Sequence, residues 1–202
     1  MRRSLLCLLS LAAACSSPTE QIPTSGSPSP DSSDLAAEPL DTARPATINA
    51  QSDTLKVVRK RHLFSSPASP DVFTLALRGP NLLSGEATFT ITASGGQVIF
   101  REVLTAADLE AALVYEMKGP TATQAEREAY VRRRMEEFFA EKNFQRPAIP
   151  KTATYQPGLA DQAAWNDLKR RPDALGFQYL VGKEDRRVIA WSPLRKQVMR
   201  LQ

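Results

Sequence analysis

Residues 87–93 alternate with a period of two: Phe89 and Ile91 fall on one side, and Thr88, Thr90 and Thr92 on the other. Successive side chains of a strand point to opposite faces, so this pattern specifies a half-buried strand with one solvated face. Ser94, Gly95, Gly96 and Gln97 supply a turn and residues 98–104 return, which makes 87–104 a hairpin. An earlier strand is expected at 72–77, where Phe73, Leu75 and Leu77 share a face.

The period then changes. Thr105 stands three residues before Asp108, with Leu104 and Leu109 at the staple positions, and this predicts a helix from Thr105 to about Lys118, ended by Gly119 and Pro120. Thr123 and Glu126 repeat the capping pattern for a second helix. Its apolar stripe is Val131, Met135, Phe138 and Phe139. A short third helix is expected around 161–170, with Ala164, Trp165 and Leu168 inward. Strands return where Phe177, Tyr179 and Val181 alternate, at 188–191 and at 197–201. Strands first, about three helices between, and strands last predict an α+β domain with a mainly antiparallel sheet from the N- and C-terminal strands.

None of this patterning begins before residue 54. Residues 16–53 are rich in Ser, Thr and Pro and hold few large apolar side chains, a composition that cannot bury enough surface to offset ordering entropy. They carry six acids against Arg44 alone, a net charge of −5, whereas 54–202 carry 23 bases and 16 acids, a net +7. The expected organisation is residues 1–14 as an export signal, 15–53 as a tether and 54–202 as one folded domain.

The first residues carry the export reading. Arg2 and Arg3 precede an apolar run from Leu5 to Leu11, followed by Ala12, Ala13 and Ala14. This is the charged, apolar and small-residue order of a secretory signal, and it is too short to span a bilayer permanently. Leu11-Ala12-Ala13-Ala14-Cys15 resembles the lipobox of bacterial lipoproteins, in which small residues precede an obligatory cysteine. The family usually has leucine three residues before that cysteine; here Ala12 holds the place and Leu11 lies one residue earlier. Ala12 and Ala14 also satisfy the ordinary secretory cleavage pattern at the same bond. The resemblance implies a diacylglyceryl thioether on Cys15, cleavage before it, and an acylated, palmitate-bearing N-terminus anchored in an envelope membrane. Two or three acyl chains make such an anchor effectively permanent. Ser16 stands where the inner-membrane retention signal has aspartate, which favours the outer membrane and its periplasmic face.

Chemistry is sparse. Cys7 and Cys15 are the two cysteines and His62 the one histidine, so 54–202 have no disulfide, no thiolate nucleophile and no multi-histidine metal site. His62, the one candidate base for a serine hydrolase, sits in the basic run Arg59-Lys60-Arg61. No phosphate loop, dinucleotide glycine pattern or metalloprotease motif occurs, so no cofactor is expected and no catalytic residue is assigned. Three basic clusters stand out: Arg132, Arg133 and Arg134; Lys169, Arg170 and Arg171; Arg186 and Arg187. The first two are the candidate contacts to an anionic envelope component, weighed against a reading as solvated helix faces. Nucleic acid does not suit an exported protein. Tyr155, Trp165, Phe177, Tyr179 and Trp191 are weighed between core packing and a carbohydrate or peptide groove. The expectation is a lipid-anchored, non-enzymatic binding or structural domain; the alternative is an envelope hydrolase working through paired carboxylates.

Overall fold

In the computed structural model, which describes residues 47–202, the N-terminal strands and the C-terminal strands do not mix. Strands β1 (Thr54–His62), β2 (Asp71–Arg78), β3 (Glu86–Thr92) and β4 (Val98–Thr105) form one antiparallel meander. Strands β5 (Phe144–Gln145), β6 (Gly176–Val181), β7 (Asp185–Ser192) and β8 (Gln197–Arg200) form a second. Between them come α1 (Ala106–Glu110), a 3-10 segment Ala111–Tyr115, α2 (Gln124–Glu137) and a 3-10 turn Glu141–Asn143; α3 (Gln162–Lys169) lies between β5 and β6. The fold class is α+β, as the element order implies. The export signal, Cys15 and most of the tether lie outside the described residues.

The alternation read in the sequence is the alternation of burial. Phe73, Leu75, Leu77, Phe89 and Ile91 are fully buried, and Thr74, Thr88, Thr90 and Thr92 line the opposite face. That face is crossed by in-register rows, one of them running Arg59, Thr74, Thr90, Arg101 over all four strands. The inner face meets Val131, Met135, Phe138 and Phe139 of α2 and the Phe177, Tyr179 and Ile189 side of the second sheet in a single apolar cluster. Its centre is aromatic: Phe73, Phe89, Phe138, Phe139 and Phe177 sit with ring centroids 5.1–6.2 Å apart, mostly edge to face, the arrangement that ring quadrupoles favour. A smaller cluster joins Ala164, Trp165 and Leu168 of α3 to Ile149, Ala190 and Met199 on the other face of the second sheet.

Three details depart from the sequence reading. The first helix does not run to Lys118: α1 stops at Glu110 and continues as 3-10 turns to Tyr115, with Val114 and Tyr115 exposed. None of Ala111, Ala112, Leu113, Val114 and Tyr115 is buried, so little packing energy holds an α-helix there. Strand β1 was not legible at all, because its inward positions are Lys56, Val58, Lys60 and His62. Finally, ordered contacts extend N-terminal of Thr54: Arg78 donates to the carbonyls of Ala50 (3.1 Å) and Ser52 (3.2 Å), and the Gly79 N–H to that of Asp53 (3.1 Å).

Candidate functional site

The basic clusters separate once folded, because helix and strand geometry send neighbouring side chains in different directions. On α2, Arg132 is exposed, and Arg133 is exposed and paired with Glu116. Arg134 turns inward and donates to the Leu180 carbonyl at 3.4 Å. On and after α3, Lys169 is used structurally: its Nζ donates to the Ala153 carbonyl at 2.6 Å and lies 4.8 Å from the Trp165 ring centroid. Arg170 and Arg171 both reach Asp167, at 3.6 Å and 2.9 Å. The second cluster therefore spends its charge on local contacts; Arg171 lines a cleft with Arg146, but there it is held by Asp167 and has Asp173 beside it. Arg186 and Arg187 project from opposite faces of β7. Arg187 faces inward to Glu102 and Asp185, whereas Arg186 faces outward and donates to Gln178 Oε1 at 3.4 Å.

These movements assemble a site that no contiguous run of sequence spells. Arg134 from the last turn of α2, Lys142 from the 3-10 turn that follows it, and Arg186 from β7 line one cleft of about 290 Å³, floored by Phe138 and Tyr179. Among the described residues none of the three has a carboxylate within ion-pairing distance, whereas Arg127, Arg133, Arg187 and Arg200 nearby all do. Burial lowers the pKa of Arg134, Tyr130 and Glu137 oppose that, and Arg186 adds to it by repulsion. A partly buried guanidinium beside a second cation and without a paired carboxylate is in a poor environment for its charge. An anion arriving in the cleft would relieve that cost. Arg134 also keeps most of its N–H donors free, in the planar fork that matches oxyanions.

Elsewhere the polar groups are absorbed by structure. The Tyr179 hydroxyl and Arg187 both donate to Glu102, which ties β4 of the first sheet to β6 and β7 of the second, and Arg200 adds a 3.5 Å contact to Asp185. Burial raises the Tyr179 pKa and keeps it a donor. Glu102 and Asp185 thus meet at one point, but the point is Arg187, and Arg200 supplies the second positive charge that balances the pair. His62, Ser65 and Asp71 sit around one loop without forming a relay: the Ser65 hydroxyl donates directly to the fully buried Asp71, at 2.8 Å. The His62 ring stacks on Phe144 at 3.6 Å between centroids, and its buried Nε2 has no hydrogen-bond partner. Among the described residues no cluster of three or more His, Cys, Asp or Glu side chains is arranged to hold a metal ion.

The aromatic candidates divide in the same way. Phe177 and Tyr179 are core, and Trp191 packs partly buried against it. Trp165 and Tyr155, in edge contact at 5.7 Å, belong to the smaller cluster, and Trp165 lines a second cleft. Lys142 gave no signal in the sequence. Arg186 belonged to a run, 182–187, that reads as a charged turn; the structure extends β7 back to Asp185, and only that alternation sends Arg186 and Arg187 to opposite faces.

No family model matches this chain, and neither curated proteins nor solved structures show a significant match to it.

Proposed function

We propose that this protein is a lipid-anchored component of a bacterial envelope, held through Cys15, whose α+β domain binds an anionic envelope component without catalysing a reaction. Support for the anchor comes from the sequence: the charged and apolar leader, the small residues 12–14 and Cys15 stand in lipobox order. In keeping with it, no helix among the described residues is long and apolar enough to cross a membrane. The outer membrane is the favoured location, from Ser16 after the cysteine. Support for binding rests on one observation, the half-buried Arg134 beside Arg186 and Lys142 with no paired carboxylate. Lys169, Arg170 and Arg171, occupied by Ala153 and Asp167, drop out of the proposed contact surface.

The two halves are tested separately. Cys15→Ala should release the protein from the membrane fraction or leave it unprocessed, and mass spectrometry of the mature protein should show a lipid adduct on Cys15. An unmodified Cys15 in a membrane-associated mature chain would remove the anchor from this reading. For the cleft, Arg134→Met should abolish binding of inorganic phosphate while leaving the thermal midpoint unchanged or higher, because it removes a charge kept at a cost. Binding should also weaken steeply with salt, since Lys142 and Arg186 are exposed and screened over about 8–10 Å at physiological ionic strength. Phosphate binding that ignores both salt and Arg134→Met would refute the anion-binding role.

A further inference from the structure

The basic cleft has a neighbour, and the two share a side chain. A second cleft of about 370 Å³ opens on the outer face of the second sheet, among β6, β7 and the chain from Gln145 to Gln156. Gln178 lines both. Its amide is held in place: Oε1 accepts from Arg186 at 3.4 Å, and Nε2 donates to the Lys142 carbonyl at 3.2 Å. One fixed amide therefore connects the Arg186 guanidinium and the Lys142 backbone of the basic cleft to the wall of the other.

The second cleft is different in kind. No charged side chain lines it, although it belongs to a domain carrying a net +7. Its polar residues are Gln145, Gln156, Gln178, Gln202 and Thr154, set beside Trp165; Gln145 and Gln178 already donate to the Ala148 and Lys142 carbonyls, so Gln156, Gln202 and Thr154 supply the free groups. Amides both donate and accept, as do alcohol hydroxyls, so a wall of amides suits a ligand rich in hydroxyls rather than an ion. Trp165 is 7% exposed, and Lys169 already occupies a ring face, so the indole serves as an apolar wall rather than a stacking platform.

We infer that the two clefts form one binding site for a phosphorylated saccharide, with the phosphate among Arg134, Lys142 and Arg186 and the sugar ring against the glutamine amides. This rests on the anion-binding reading above and extends it to the neutral body of the ligand. A phosphate is preferred to a carboxylate because three cations converge. A phosphomonoester carries about −1.5 to −2 charges near neutral pH and three acceptor oxygens, enough to engage all three. A carboxylate has one charge and two oxygens.

The experiment is calorimetric titration of the mature chain at low salt with inorganic phosphate, glucose, glucose 6-phosphate and N-acetylglucosamine 1-phosphate. At least one sugar phosphate should bind about tenfold tighter than inorganic phosphate, because the second set of contacts is made by a molecule already held by the first. Arg186→Gln should weaken every phosphate-bearing probe. Gln156→Ala, at an exposed position, should bring the sugar phosphate down to the affinity of inorganic phosphate and leave inorganic phosphate itself unchanged. Should the sugar phosphates bind no tighter than inorganic phosphate, or Gln156→Ala leave them unaffected, the joined site is overturned and the anion cleft stands. If no probe binds at all, both readings fail together.

Discussion

His62 shows how one nitrogen can couple stability to pH. It ends an edge strand, yet its side chain is only 16% exposed, between Phe144 and the edge of Phe73, and Glu141 Oε2 at 3.8 Å is too far to accept its proton. Burial lowers its pKa below 6.5; Glu141 opposes the shift, and Lys60 and Arg146 reinforce it. A lowered pKa in the folded state means that the unfolded chain takes up the proton first. The contribution of neutral His62 is therefore complete above about pH 6.5 and is lost as pH falls from there through the folded-state value. Thermal midpoints measured between about pH 8 and pH 5 should fall more steeply for the native chain than for His62→Phe, which keeps the ring stack and removes the titration. Equal slopes would show that His62 is not the group responsible. The sequence revealed that there was one histidine within a basic run. It could not reveal the stack on Phe144, which lies 82 positions away.

At the scale of single elements, local chemistry explains most of what was legible. Thr105 and Thr123 both form complete capping boxes, with Asp108 and Glu126 returning to the cap N–H groups, as their three-residue spacing required. Thr123→Ala should cost about 1 kcal/mol, because α2 loses the acceptor for an N-terminal N–H. Urea melts would measure this, and a change below the error of the extrapolation would mean that tertiary packing alone holds the first turn. Strand β1 is the counter-example. Lys56 and Lys60 point toward the core side, which looks wrong for a strand until Glu136 and Glu141 are seen beyond the open edge, at 2.6 Å and 2.8 Å. Lysines on an edge strand also discourage pairing with another chain. Between β2 and β3 the backbone itself sets the residue: a Cβ on Gly85 would lie 2.7 Å from the Arg78 carbonyl oxygen, so this turn closes only with glycine.

For the whole molecule, the decisive contact is between sheets that share no hydrogen-bonded strand. Phe177 of the second sheet meets Phe73 and Phe89 of the first, at 5.5 Å in each case, and Phe138 of α2 at 5.8 Å. Among the described residues, 47–202 form one compact unit around that cluster. Phe177→Ala should therefore cost about 3–5 kcal/mol, and both sheets should be lost in one transition. Far-ultraviolet circular dichroism and fluorescence of Trp165 and Trp191 report backbone and second-half packing respectively. Coincident curves are expected, and separated ones would make the sheets independent folding units.

What the sequence alone determined was local: the alternation of residues 87–93, both capping boxes and the α2 stripe. Each depends on spacings of two to four residues, which backbone geometry translates directly into a face or a cap. The tertiary structure decided which sheet each strand joined and which charges were left over. The Lys169, Arg170 and Arg171 cluster looked as free as the Arg132, Arg133 and Arg134 cluster until Asp167 and the Ala153 carbonyl were placed beside it. The cleft of Arg134, Lys142 and Arg186 spans 52 positions of chain. A cation is free or paired according to what lies within 4 Å in space, and that distance is set only when helix, turn and strand pack on the same core.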